Sequence, residues 1–131
     1  MILDGRGLIP ALRRYLDEFE RTTHIAVEVS AADVGALADE MELALFRVAQ
    51  ECMENVRKHS GSRTARLTLR RDDRHISLSV SDAGRGMQAG DQGGIGMVGM
   101  RERLAAVGGT LQVESVPGAG ARIEAIVPIG E

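Results

Sequence analysis

The stretch ECMENVRKH, residues 51–59, ends the longest helical pattern in this chain of 131 residues. The pattern begins near Leu37 or Glu40, contains no glycine or proline, and stops at Ser60-Gly61. Four apolar residues at helical spacing share one narrow arc of this helix. They are Leu45, Ala49, Cys52 and Val56. We therefore predict a long helix that packs against a hydrophobic core through this arc.

Three polar side chains border the apolar arc. Glu51, Asn55 and Lys58 fall within about 60° of one another on a continuous α-helix. A carboxylate, a carboxamide oxygen and an ammonium group at such a border could polarise a nucleophile, hold a hard cation and neutralise a phosphate. An ordinary solvated helix face has the same pattern, so the spacing alone leaves both interpretations open.

Alternating and helical patterns on either side of this helix define the other elements. In chain order they are a helix over 7–22, a strand over 25–30, the long helix, a hairpin over 65–81, a glycine-rich loop from 82 feeding a helix to 107, and a hairpin over 111–127. This order disfavours a doubly wound parallel sheet. We predict an α/β sandwich (α+β) in which about three helices cover one face of a mixed, mostly antiparallel sheet.

Length and composition indicate one globular unit. At about 150 residues per domain, the chain has room for one core, and its 44% hydrophobic and 27% charged residues are typical of folded proteins. The net charge of −3 disfavours nucleic acid and anionic membranes as partners. We expect Cys52, the only cysteine, to be a buried apolar side chain rather than a reactive thiol. With no apolar run long enough to span a bilayer, we expect a cytoplasmic domain.

Asp82 has the same parity as three apolar residues of its strand, Ile76, Leu78 and Val80. Its carboxylate is therefore predicted to point toward the core side at the end of the strand. A carboxylate in that position is costly unless a donor reaches it. A backbone cap in the following turn or the exocyclic amine of a bound heterocycle could be that donor, and the sequence does not choose between them.

Seven glycines lie between Asp82 and Gly99. A helix that begins near Gly96 would present free N–H groups and its positive dipole end to phosphates. The spacing Gly94-x-Gly96-x-x-Gly99 formally matches a dinucleotide-binding fingerprint, which would indicate an oxidoreductase domain, but no strand immediately precedes it. A flexible loop is the remaining alternative.

Taken in order, residues 51–59, 82–87 and 93–103, with Gly108-Gly109 and 117–120, resemble the N, G1 and G2 boxes and closing hairpin of a sensor histidine kinase catalytic domain. The resemblance is closest to the subfamily that pairs with LuxR/NarL-type response regulators, whose opening stretch is similar to residues 3–8. It covers nearly the whole chain and implies a Bergerat-type (GHKL) ATP-binding fold. We expect one catalytic domain over 1–131, with a helix and strand in 1–35 and the boxes in 36–131.

The resemblance implies a role for each matching residue. Asn55 would ligate Mg²⁺, Glu51 would be the catalytic or polarising carboxylate, and Asp82 would accept from the adenine amino group. The other residues implied to contact the nucleotide are Lys58 and His59 at the phosphates, Gly84 and Gly86 at the adenine, Gly94 and Gly96 at the triphosphate, and Met87 and Met97. The implied cofactors are ATP and Mg²⁺.

Two departures from the family pattern affect the expected function. Ala121 stands where the family usually has Thr or Ser, whose hydroxyl supports the adenine-binding carboxylate through water. The phosphoacceptor helices are also missing, so the partner would be a separate histidine-bearing dimerisation domain and, indirectly, a LuxR/NarL-type response regulator. We expect this domain alone to be monomeric, to bind ATP and to transfer little phosphate. A non-catalytic ATP-sensing module and an anti-sigma-type serine kinase are the alternatives.

Overall fold

The computed structural model describes residues 7–32, 34–35, 37–83, 95–116 and 120–129, and for residues 59, 60, 95, 96 and 116 it describes the backbone alone. Within these ranges there are three α-helices, one π-helical turn and five strands. They are α1 (Leu8–Thr23), β1 (Ala26–Ala31), α2 (Asp39–Asn55), the π-helical segment (Val56–Ser60), β2 (Thr64–Arg71), β3 (His75–Asp82), α3 (Ile95–Ala105), β4 (Thr110–Val116) and β5 (Gly120–Pro128).

The strands form one sheet in the order β1-β2-β3-β5-β4. β1 runs parallel to β2, and the other neighbouring pairs are antiparallel. Side chains alternate across the sheet, so that the residues of one face are buried against the helices and those of the other face are polar and more exposed. The predicted α/β sandwich with a mixed, mostly antiparallel sheet is confirmed.

Helix α2 supplies the centre of the core. Its predicted apolar arc is buried, and Leu45, Val48, Ala49 and Met53 are each 0% exposed. The helix lies over β3 and β5 and contacts α1 on one side and α3 on the other. Complete burial of a Leu, Val or Met side chain contributes about 1.5–3 kcal/mol, so α2 is held firmly on the middle of the sheet.

Helix α1 is fixed to α2 and to the edge strand. The Tyr15 ring packs edge-on against Phe46 of α2, with ring centroids 6.0 Å apart, and also contacts Phe19. The Glu20 carboxylate accepts a hydrogen bond of 2.5 Å from the backbone N–H of Val27 in β1. This bond satisfies a donor on an edge strand that could otherwise pair with another chain.

The long helix differs from its predicted form at its end. The α-helix stops at Asn55, and Val56–Ser60 forms a π-helical turn that Gly61 ends in the left-handed conformation. Val56 is the only buried residue of that turn whose side chain is described, so the apolar pattern is too short to distinguish an α from a π turn. Single π-helical turns are frequent at functional sites.

Cys52 is 1% exposed, which confirms the expectation of a buried apolar side chain. Burial raises the pKa of its thiol to about 12, so the reactive thiolate is suppressed at neutral pH. Among the helices of the described residues, none combines the length and the apolar composition needed to cross a bilayer.

Gly109 joins α3 to β4 at a close approach of backbone to backbone. A Cβ there would lie 2.9 Å from the Ile126 carbonyl oxygen and 2.9 Å from Val127 Cγ2. We expect Gly109→Ala to lower the free energy of unfolding by about 1–3 kcal/mol through overpacking. Gly99→Ala is the matched control, because a Cβ at Gly99 of α3 meets no atom within 4 Å; it should raise stability by up to about 1 kcal/mol. Chemical denaturation measures the free energy of unfolding of both variants. Equal changes in the two variants would show that β5 does not approach Gly109 this closely.

Candidate functional site

Three elements that carry predicted site residues meet at one end of the sheet. After the π-helical segment, three residues lead into β2, and Ala65 of β2 is paired with Asp82. The end of α2 and the end of β3 therefore lie at the same end of the sheet. Helix α3 leads into β4 at Thr110. This residue lies toward the opposite end of the sheet, because its partner Ile126 pairs with Ser77. The N-terminus of α3 thus points back toward Asp82.

Asp82 lies on the helix-facing side of the sheet, as its parity predicted. It is half-buried and sits between two alanines in register, Ala65 of β2 and Ala121 of β5. Two cavities border the end of its strand, one of about 410 Å³ and one of about 240 Å³. Their linings include charged side chains of the opposite, polar face, such as Arg66 and Arg122, so both cavities extend onto that face. The two in-register neighbours of Asp82 are small and add little bulk around its carboxylate.

Gly120 sets the position of the Asp82 backbone. Its φ of +108° lies in a region that side-chain-bearing residues rarely adopt, and a Cβ there would collide with the Asp82 carbonyl oxygen and lie 3.1 Å from Ala83 Cα. The sequence pattern alone identifies this glycine only as part of a hairpin loop. The close approach between β5 and β3 depends on strand register, which the local sequence does not reveal.

Glu51 and Asn55 lie on the predicted flank of α2, and both are half-buried. The π-helical turn changes the position of Lys58, which follows them and is exposed. A π-helix has more residues per turn than an α-helix, because its hydrogen bonds join residues five apart instead of four. Each residue of the π-helical turn therefore rotates by a smaller angle about the helix axis, and the rotation from Asn55 to Lys58 is smaller than in an α-helix. The 60° arc predicted for a continuous α-helix does not apply to Lys58.

The other flank of α2 holds a polar group that sequence analysis missed. Arg57 forms a two-pronged hydrogen-bonded ion pair with Glu54, with Nη2 2.7 Å from Oε1, which lowers the pKa of the Glu54 carboxyl. Burial, followed by the nearby carboxylates of Glu54 and Glu51, raises the pKa of Tyr15 to about 12. Tyr15 stays a neutral hydroxyl beside these acids, and only the tertiary packing of α1 on α2 brings it there.

Helix α3 is linked both to α2 and to the sheet. The Cys52 thiol donates a hydrogen bond to Met100 Sδ at 3.7 Å, one turn before Asn55 along α2. Arg101 Nη1 donates to the Leu111 carbonyl oxygen at 3.0 Å, which joins α3 to β4. Met97 is 2% exposed and packs in the core, so its predicted contact with a nucleotide stays a prediction.

Several predicted site residues cannot be compared with the structure. Gly84, Gly86, Met87 and Gly94 lie outside the described residues. Gly96 is the second residue of α3, which agrees with the predicted helix start. His59 lies in the π-helical segment, and its side chain is outside the described part of the chain.

A larger cavity of about 590 Å³ lies elsewhere on the sheet. Its lining includes Arg70, Asp72 and His75 near the turn between β2 and β3. His75 and Asp82 are the two ends of β3, about 23 Å apart at the usual strand rise. This cavity is therefore separate from the candidate site.

A sequence model of the family described as histidine kinase-, DNA gyrase B- and HSP90-like ATPase matches residues 40–131. The chain belongs to this family. The match includes the flank of α2 that carries Asn55, the end of β3 and the start of α3. Family membership makes ATP the nucleotide that this domain uses.

Similar proteins agree with this assignment. The chain is 33% identical to the signal transduction histidine-protein kinase/phosphatase DegS of Brevibacillus brevis, over 98% of this chain and 34% of that protein. It is 36% identical to the sensor histidine kinase LiaS of Bacillus subtilis (strain 168), over 97% of this chain and 36% of that protein. The chain thus spans about a third of the length of these curated relatives.

A solved structure has the same fold. The histidine kinase domain from the Erythrobacter litoralis EL346 blue-light activated histidine kinase superposes with a TM-score of 0.82 at 21% sequence identity, covering 93% of this chain and 61% of that one. The sandwich of helices on a mixed sheet is therefore a fold already seen in that histidine kinase domain.

Gly120→Ala tests the packing of β5 against the end of β3. Backbone strain at positive φ and the collision with the Asp82 carbonyl should together lower the free energy of unfolding by about 2–5 kcal/mol. Thermal or urea denaturation measures this change. Ala121→Gly, one residue further along β5, introduces no new atom and serves as the control. A Gly120→Ala protein as stable as the wild type would show that β5 does not approach Asp82 this closely.

Proposed function

We propose that this chain is the catalytic, ATP-binding domain of a sensor histidine kinase. In this proposal it binds Mg-ATP and donates the γ-phosphoryl group to a histidine on a separate dimerisation domain. The observation that carries the proposal is the meeting of Asp82, the Asn55 flank of α2 and the N-terminus of α3 at one end of the sheet. An acceptor, an oxygen ligand and a helix dipole at one place fit the parts of a nucleotide.

Asp82 is the proposed purine-binding residue. Its carboxylate can accept a hydrogen bond from the exocyclic amino group of adenine, and a charged acceptor makes such a bond stronger than a neutral one. Its half-buried position and its small in-register neighbours, Ala65 and Ala121, supply partial desolvation and space. Gly84 and Gly86, which directly follow this strand, and Met87 would complete the purine pocket.

The phosphates would lie between α2 and α3. The N-terminus of α3, with Gly96 as its second residue, presents backbone N–H groups that have no acceptor within the helix, together with the positive end of the helix dipole. Lys58 and His59 would approach from the π-helical segment, and Gly94 and Gly96 would border the triphosphate. Glu51, half-buried beside Asn55, would be the polarising carboxylate.

The residues at this site suit a Mg²⁺ ion that is shared with the nucleotide. The described residues contain no group of three or more His, Cys, Asp or Glu side chains that could hold a metal ion. Asn55 offers a hard oxygen ligand on a half-buried flank, and Mg²⁺ is commonly held by few protein ligands together with phosphates and water. When bound, the ion would neutralise charge on the phosphates.

Catalysis in this proposal rests on positioning and charge neutralisation, because phosphoryl transfer needs no covalent step on the protein.

The relatives that are named histidine kinases are about three times as long as this chain. We propose that the parent protein carries the phosphoacceptor domain, is cytoplasmic or presents this domain to the cytoplasm, and pairs with a LuxR/NarL-type response regulator. This domain alone would be monomeric and would contact neither nucleic acid nor membrane.

Asp82→Asn tests the purine assignment. The variant keeps the shape of the side chain but removes its charge, and the loss of a charge-assisted hydrogen bond should raise the Kd for ATP about 10- to 100-fold. Isothermal titration calorimetry measures this Kd, and circular dichroism verifies the fold. Asp72→Asn is the matched control, because Asp72 caps the turn between β2 and β3 at the far end of the sheet. Unchanged ATP affinity in Asp82→Asn would refute the assignment.

Asn55→Ala tests the metal-binding assignment. We expect Mg²⁺ to strengthen ATP binding to the wild type, and the variant to lose most of this increment while keeping its affinity for ATP in EDTA. Gln50→Ala removes an amide on another face of α2, where Gln50 bonds to Arg47, and should behave as the wild type. If Asn55→Ala kept the full effect of Mg²⁺ in the same titrations, the ion would be held elsewhere.

Phosphoryl transfer itself is tested by mixing this chain with the phosphoacceptor domain of its parent and labelled ATP. The proposal requires that the label be attached to a histidine, as a phosphoryl group that is stable in base and lost in acid. Label on serine would indicate a serine kinase, and ATP binding without transfer would indicate a sensing module; either result would overturn the proposal.

A further inference from the structure

The polar face of the sheet, on the side opposite the described helices, carries the cavity of about 590 Å³. Three of the residues that line it lie on this face: Arg70 of β2, and His75 and Ser77 of β3. Arg70 is in register with Ser77, so their Cβ atoms are about 5 Å apart. His75 precedes Ser77 by two residues, at about 7 Å. A guanidinium, an imidazole and a hydroxyl therefore border one space.

The Arg70 guanidinium is available to a ligand. Among the described residues it has no hydrogen-bond or ion-pair partner. The other arginines of β2 differ, because Arg71 donates to the Val34 carbonyl oxygen and Arg66 pairs with Glu28. Arg70 can therefore present its whole planar fork of donors to an anion.

Two carboxylates also line the cavity, and both are engaged by other donors. The Asp72 carboxylate accepts hydrogen bonds from two backbone N–H groups at the β2–β3 turn, at 2.8 and 2.7 Å. The Glu124 carboxylate lies 3.2 Å from Nη1 of Arg122, whose charge offsets its own. Neither acid forms an ion pair with Arg70, so the charge of Arg70 remains for a ligand.

The surrounding sequence favours an anion as that ligand. Residues 63–75 contain five arginines and two aspartates, although the net charge of the whole chain is −3. Positive charge is thus concentrated on β2 and the residues that flank it. A local field of this sign attracts anions to the cavity beside Arg70.

The three donors suit a phosphate group. The Arg70 fork can donate two parallel hydrogen bonds to two oxygens of one phosphate. The Ser77 hydroxyl, which has no side-chain partner among the described residues, can donate to a third oxygen. Nδ1 of His75 lies 3.8 Å from Asp72 Oδ1, so Nε2 is the ring nitrogen that can face the ligand. The cavity is far larger than the roughly 30 Å³ that one water molecule occupies in the liquid, so it has room for a phosphate with its remaining waters.

We propose that Arg70, His75 and Ser77 form a second ligand site, which binds a phosphate group on the polar face of the sheet. The site lies at the opposite end of β3 from Asp82 and shares no residue with the proposed nucleotide site. It therefore goes beyond the proposed function and does not depend on it. A carboxylate, which has two oxygens, would use fewer of the donors and would bind more weakly.

The test is a nuclear magnetic resonance titration of the nitrogen-15-labelled chain with inorganic phosphate, without nucleotide and at constant ionic strength. We expect the backbone amide signals of residues 70–77 to shift and to saturate. Arg70→Gln should raise the Kd for phosphate at least about tenfold, because it removes a pair of charge-assisted hydrogen bonds. Ser77→Ala, which removes one donor, should raise the Kd about fivefold. Amide signals of α3 report binding at the proposed nucleotide site separately, so the two sites are distinguished in one titration.

Arg66→Gln is the matched control, because Arg66 lies on the same strand and face but is paired with Glu28. It should retain the wild-type Kd, and acetate in place of phosphate should bind more weakly to the wild type. If Arg66→Gln weakened phosphate binding as much as Arg70→Gln, the general charge of β2 would attract the ion and the site would be refuted. The absence of a saturable shift at residues 70–77, or acetate binding as tight as that of phosphate, would also overturn the proposal.

Discussion

The packing of α2 on the middle of the sheet is the constraint on which the site depends. Its apolar arc is buried over β3 and β5, and the Cys52 thiol contacts Met100 of α3. Because the arc ends at Val56, the polar flank with Glu51 and Asn55 is fixed in rotation as well as in position. A rotation of α2 that moved Asn55 away from the site would also expose side chains that are now fully buried.

Small residues around Asp82 reconcile a core-facing carboxylate with a stable fold. Such a group is costly in an apolar interior, but Asp82 sits at the last position of β3 and is only half-buried, and its in-register neighbours are the small Ala65 and Ala121. Gly120 lets β5 approach the Asp82 backbone closely, because a Cβ there would collide with the Asp82 carbonyl oxygen. Backbone packing thus fixes the strand end without placing bulky side chains in register with the carboxylate.

Elements and faces could be predicted from the sequence because they follow from local periodicity. The parity of Asp82 and the burial of Cys52 needed only the period of a strand and of a helix. The π-helical turn could not be predicted, because one buried residue, Val56, does not distinguish two helix types. The pairing of Asp82 with Ala121 depends on the register of β3 and β5, which are separated in the chain by a helix and another strand. The roles of the glycines in the loop rest on the family resemblance, and residues 84–94 of that loop lie outside the described part of the chain.

The charges at the two helix ends show why a cation belongs at this site. Helix α3 offers its positive end to an anion, but α2 ends at the same edge of the sheet and presents its negative end there. A triphosphate between them would be attracted by one helix and repelled by the other. Arg57 points its charge into the Glu54 carboxylate, so it contributes little net charge. Among the described residues of the proposed site, Lys58 and a hard cation held by Asn55 would offset this repulsion, so the proposed phosphate site would need the amide of Asn55 as the proposed purine site needs the carboxylate of Asp82.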